Sequence, residues 1–85
     1  MDSDISKKIA AAAAEYSERI IEIGKAVLAN PELGFFEEKT SALVRRELEM
    51  LGIEHTYPHA LTGVKAELGG KSSKYNVCII GEMDC

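Results

Sequence analysis

Four consecutive apolar residues, Val77-Cys78-Ile79-Ile80, leave no polar face on the segment they form. A β-strand sends successive side chains to opposite faces, so a strand with this run needs apolar cover on both sides. Only five residues follow Ile80, and none of the helix-forming sequence lies after it. The cover must come from upstream and from something besides these residues. The expected class is therefore α/β, with two N-terminal helices followed by about three strands. This is an incomplete layer architecture, the N-terminal part of a larger domain or a chain completed by a partner.

The first helix is predicted over about residues 4–29. Apolar side chains recur at Ile5, Ile9, Ala12/Ala13, Tyr16, Ile20, Ile23 and Val27, steps of three and four that draw one stripe along a helix. Ser3 or Asp4 can cap its start, the Ala10–Ala14 run has high intrinsic propensity, and Glu15/Arg19 stand in the favourable i,i+4 order. Asn30-Pro31 ends it, because the residue before a proline is pushed out of the α region. A second helix is expected over about 37–51, with Thr40, Leu43/Val44, Glu47/Leu48 and Leu51 on one side and Gly52 as its stop. Between the two, Pro31 to Phe36 reads as a tight turn whose aromatics, Phe35 and Phe36, pin it onto a core.

Beyond Gly52 the period changes. Residues 53–57 are expected as a strand broken by Pro58, residues 63–68 as a half-exposed strand, and residues 75–82 as the buried one. Gly69 to Lys74 is a turn-rich connection, and no internal repeat is visible.

Charge narrows the partners. Ten Lys+Arg against 14 Asp+Glu give a net charge of −4 and a pI near 5.1. No basic cluster exceeds Lys7-Lys8 or Arg45-Arg46, which argues against nucleic acid. The longest apolar run, Ile9 to Ala14, is far short of the roughly 20 residues that span a membrane. Asp2 and Asp4 stand where a signal peptide is basic, so a cytoplasmic location is expected. Cys78 and Cys85 are seven apart, matching neither a redox pair nor a zinc-finger spacing, and Cys78 reads as a buried reduced thiol.

The residues that can carry chemistry lie at the end of the last expected strand. In Gly81-Glu82-Met83-Asp84-Cys85 two carboxylates are spaced i,i+2 at a strand's C-terminal end, the edge of an α/β sheet where ligands gather. If the strand continues, Glu82 and Asp84 share a side, where paired carboxylates bind a cation or shift one another's titration; otherwise they are the solvated start of a loop. His55 and His59 are four apart, but Pro58 denies them a shared helix face, and they read as exposed loop side chains. Gly69-Gly70-Lys71-Ser72 lacks the leading glycine and following helix of a phosphate loop and reads as a hairpin turn.

A larger pattern runs through the chain. Asn30-Pro31-Glu32-Leu33-Gly34-Phe35, Glu37, Thr40-Ser41-Ala42, Leu51-Gly52, Thr62-Gly63-Val64-Lys65-Ala66 and Glu82-Met83-Asp84 follow in order. In order and spacing this resembles the start of the zinc-dependent N-acyl-amino-acid amidohydrolase and metallopeptidase family, which includes aminoacylases, hippurate hydrolases and the aminobenzoyl-glutamate hydrolase group. The resemblance covers nearly everything after the first helix. It implies a catalytic domain with a mixed sheet between helices, interrupted by a lid or dimerisation domain. It also implies two zinc ions or similar divalent metals, a bridging water that attacks an amide carbonyl, and a glutamate base.

By the same resemblance Asp84 matches the aspartate that orients a metal ligand from behind. Glu82, the weaker candidate, falls where other branches carry a metal-binding His. Cys85 takes a position usually held by alanine. The family's remaining ligands and its base lie beyond Cys85, so residues 1–85 are expected to bind no metal and to be inactive alone. The substrate implied is a small N-acyl amino acid or peptide, and the parent can be a homo-oligomer. The alternative is a truncated, non-catalytic interaction module that pairs with itself or another chain through an unpaired strand edge.

Overall fold

The computed structural model describes residues 3–85. It contains α1 (Ser3–Glu15), α2 (Ser17–Ala29), α3 (Glu38–Met50), β1 (His55–His59) and β2 (Gly63–Ala66), in that order. Three helices and a two-stranded antiparallel sheet make the mixed α/β class expected, compatible with part of an α/β domain.

The single helix expected over 4–29 is divided at Tyr16, whose φ of −97° and ψ of 5° leave the helical region. The Tyr16-Ser17 pair follows the alanine run with lower helix propensity on both counts. The hydrogen-bond ladder nevertheless crosses the break, with Tyr16 N–H donating to Ala12 O at 3.2 Å and Ile20 N–H donating to Tyr16 O at 3.0 Å. The stripe itself stays exposed at Ile5, Ile9, Tyr16 and Ile20. Arg19 ties α2 to α3 through paired hydrogen bonds to the Glu47 carboxylate and also reaches Glu22 at 2.8 Å. On an exposed surface such pairs contribute little to stability, so they orient α2 more than they hold it.

The second helix ends as its sequence predicts. Leu51 caps α3, and Gly52 follows at φ +70°, a conformation that glycine adopts without a Cβ penalty. Gly52 N–H then donates to Glu49 O and Ile53 N–H to Leu48 O, the paired bonds that satisfy the last carbonyls of a helix. This turn delivers the chain into β1.

β1 and β2 pair in the register His55↔Ala66, Thr56↔Lys65 and His59↔Gly63, with one extra residue on β1 between Thr56 and His59. The strand expected over 53–57 thus begins two residues later and runs through Pro58 instead of breaking there. A proline that lacks an N–H is tolerated where the ladder is already interrupted by a bulge on an edge strand. The connection bends through Ala60 and Leu61, both at positive φ. Gly63 closes it, since a Cβ there would stand 2.6 Å from the His59 carbonyl oxygen.

Three expectations are corrected. The strand over 75–82 is not formed, and the chain has no regular structure from Glu67 to Cys85. A strand needs a neighbour for its N–H and C=O groups; β1 and β2 pair with each other, and no third strand is present among the described residues. Val77, Ile79 and Ile80 are accordingly 88, 92 and 85% exposed, and the Cys78 thiol is exposed as well. Phe35 and Phe36 do not pin the turn onto a core, because both are exposed. No hydrophobic side chain among the described residues is buried. Among the same residues no helix is long and apolar enough to cross a membrane.

What is buried is polar: Glu37, Thr40, Ser41 and Thr62. Glu37, Ser41 and Arg45 recur at i, i+4 and i+8, along one face of α3. Thr62 donates a long hydrogen bond to Glu37 Oε2 at 3.4 Å, and the Arg45 guanidinium lies 3.8 Å from the centre of the Tyr57 ring. These contacts dock the hairpin on α3, one by a hydrogen bond and the other by a cation–π contact.

Candidate functional site

The first turn of α3 is the best-built corner of the molecule. A helix leaves its first N–H groups without partners inside the helix, and its N-terminal end attracts negative charge. Glu37 occupies the cap position, yet its side chain makes no capping bond. Glu32 does the work from the preceding turn: its carboxylate accepts from Lys39 N–H at 3.0 Å, from Thr40 N–H at 2.7 Å and from the Thr40 hydroxyl at 2.8 Å. A turn closed by Phe36 N–H on Leu33 O at 2.9 Å, with Phe35 at φ 67°, folds Glu32 back onto the helix.

These bonds favour the charged carboxylate and hold Glu32 below the ordinary glutamate range. The Lys39 N–H acts most strongly, partial burial opposes it, and the Thr40 N–H and hydroxyl and the Lys39 charge add to it. A group lowered in the folded state stabilises fully above its unfolded pKa, about 4.3 for glutamate, and loses that contribution as pH falls through the folded value. In an NMR pH titration the Lys39 and Thr40 amides are therefore expected to move together, with a midpoint below about 4.3. Glu32→Gln removes that transition. A midpoint at or above 4.3 contradicts the capping role.

The same residue holds the end of the chain. Cys85 N–H donates to the Glu32 carbonyl at 2.9 Å, so the Gly81–Cys85 segment lies against the Pro31-Glu32 turn. Met83 is half-buried, whereas Glu82 and Asp84 on either side of it are exposed. The structure thus brings Asp84 beside the Glu32 corner through backbone, and leaves both candidate carboxylates open to solvent.

Among the described residues no group of three or more His, Cys, Asp or Glu comes together to hold a metal ion. A catalytic zinc takes three protein ligands and an open position, so these residues by themselves do not fit the pair of zinc ions that the resemblance implies. The histidines are placed differently from their expectation as loop side chains, since both lie in β1. His55 is half-buried, with Nδ1 3.0 Å from Ile53 O and Nε2 4.0 Å from Glu49. His59 Nε2 lies 2.6 Å from the Thr56 hydroxyl. An open depression of about 690 Å³ is lined by His55, Glu49, Glu67 and Lys65 among others, and neither Glu82 nor Asp84 borders it.

Sequence reasoning did not find the roles of Glu32, Thr40 and Thr62, although all three stand in the motifs that carry the resemblance. Their recurrence in one ordered pattern was the available signal, and the structure shows that they meet at the start of α3.

Comparison with curated proteins gives the pattern a second footing. Over 70 residues, 82% of this chain, it is 39% identical to the Arabidopsis thaliana protein named IAA-amino acid hydrolase ILR1-like 2 and 37% identical to ILR1-like 4. Over 55 residues, 65% of the chain, it is 44% identical to ILR1-like 6 of the same plant. These likenesses support the amidohydrolase family. The matched stretch spans 16% of the length of the first two relatives and 12% of the third. No family model matches the chain, and no solved structure matches it.

Proposed function

We propose that this chain is the N-terminal segment of a metal-dependent amidohydrolase that cleaves the amide bond between an acyl group and an amino acid or short peptide. The names of its relatives, hydrolases of amino acid conjugates, support that substrate class. The observation that carries the reading is how the motif side chains close on one another. Glu32 caps α3, Thr62 reaches Glu37, and the Glu32 carbonyl takes the Cys85 N–H, which sets Asp84 exposed at the end of an ordered corner.

In this reading Asp84 orients a metal ligand contributed by residues outside these 85, and Glu82 stands beside it as the weaker candidate. The helices are scaffold, and the 85-residue chain alone is inactive. The test is a panel of N-acyl amino acids offered to the purified protein encoded by the complete gene. Release of free amino acid, abolished by a chelator and restored by a divalent metal, is the expected result. A protein that hydrolyses none of the panel with or without added zinc overturns the reading.

A further inference from the structure

We infer that Glu32 is a positioning residue for Asp84, joining the N-terminus of α3 to the carboxylate through one short run of backbone; this rests on the proposed amidohydrolase reading. The Cys85 N–H that bonds to Glu32 O belongs to the peptide group between Asp84 and Cys85. That group is planar, so fixing its N–H direction also fixes the carbonyl and the Cα of Asp84. The carbonyl that accepts the bond belongs to a residue that is itself held at its other end. Three hydrogen bonds, from Lys39 N–H, Thr40 N–H and the Thr40 hydroxyl, fasten the Glu32 side chain to α3, and Thr40 is buried. Pro31, with φ set by its ring, stiffens the chain just before it.

Glu32 thus reads the position of α3 with its carboxylate and transmits it to Asp84 with its carbonyl. Among the described residues it is the only bond from the Gly81–Cys85 segment to the rest of the backbone outside helices and strands. Any group that Asp84 orients inherits its placement from this corner. A displacement on the order of 1 Å in a positioned group can cost up to about a hundredfold in rate, so even partial loosening here is readable.

The experiment compares Glu32→Ala, Glu32→Gln, Thr62→Val and Asp84→Asn in the full-length hydrolase, measuring kcat, KM and Tm for each. Glu32→Ala is expected to lower kcat about tenfold with KM changed less than twofold. Glu32→Gln keeps an acceptor oxygen at the helix and recovers part of the loss. Thr62→Val removes the Thr62 hydrogen bond to Glu37 without touching the Glu32 bonds, so it lowers Tm while kcat stays within about twofold. If Glu32→Ala folds and retains kcat, or if its kcat falls only as Tm falls along the Thr62→Val line, the positioning role is overturned. Should Glu32→Ala fail to fold, Glu32→Gln decides by the same criteria. Loss of activity in Asp84→Asn with full activity in both Glu32 variants sinks this inference alone, whereas full activity in Asp84→Asn sinks the Asp84 assignment beneath it.

Discussion

On the proposed amidohydrolase reading, Asp84→Asn in the full-length protein is expected to lower kcat by about 10- to 100-fold while leaving the Tm within a degree or two. Asn matches the volume of Asp, and in residues 3–85 the Asp84 side chain is exposed, so the change is expected to disturb packing little. What the substitution removes is a negative charge and an acceptor of fixed polarity. A carboxylate that hydrogen-bonds to a metal ligand sets the orientation and basicity of that ligand, and partners of this kind typically cost one to two orders of magnitude when replaced. The measurement is steady-state hydrolysis of an N-acyl amino acid alongside the metal content of each protein. A tenfold loss accompanied by weaker metal retention supports the assignment, and unchanged turnover removes it. Glu82→Gln is the natural companion, because it alters the neighbouring charge without touching Asp84.

Ile79→Ala is expected to have opposite consequences in two settings. In residues 3–85 the Ile79 side chain is 92% exposed, so truncating it changes the stability of this chain by no more than about 0.5 kcal/mol. If a larger α/β domain pairs this run as a strand covered on both faces, the truncation leaves a cavity there that costs about 2–5 kcal/mol. Denaturant unfolding of both proteins, each with and without the substitution, reads the difference. Equal small effects in both contradict the assignment of residues 75–82 to a buried strand of the larger domain.

The contrast between these settings also explains what could be read from the sequence and what could not. Gly52 was legible because a helix stop is local: the residue after the last periodic position must accept positive φ, and it does, at +70°. α3 was legible for the same reason, signalled within a dozen residues, and so was extended chain near β1 and β2; the hairpin turn expected at Gly69 to Ser72 lies instead at Ala60 to Thr62, because β1 and β2 pair with each other and no strand follows Ser72. The stripe of α1 and α2 and the run around Ile79 were legible as surfaces that need cover, but not as to where the cover comes from. Apolar pattern identifies a face to be buried, and pairing a strand is a non-local event that these residues do not complete. Their exposure at Ile5, Ile9, Ile20, Val77, Ile79 and Ile80 is the physical outcome.

The polar corner was hidden for a different reason. Capping usually comes from the residue next to the helix, and here Glu37 occupies that position without a side-chain capping bond while Glu32, seven residues before Lys39, supplies the acceptor. No fixed spacing announces a cap delivered across a turn. Glu37, Thr40, Ser41 and Thr62 are residue types expected at the surface, yet they form the most buried cluster, with Ser41 fully enclosed. Asp84 was a candidate first from its place with Glu82 at the end of an expected strand, where a solvated loop start was the open alternative, and its place in an ordered set of motifs is what singled it out. The geometry adds what that pattern lacked, a backbone bond from Cys85 to Glu32 that gives the Asp84 region a definite seat.

The central claim is that these 85 residues are one part of a larger α/β catalytic domain. The intact mass of the polypeptide produced from its native gene tests it most directly. The account predicts a mass several times the 9.3 kDa of this chain, because the relatives it matches are about six times longer than the matched stretch. A native product of 9.3 kDa with no continuation past Cys85 would contradict it.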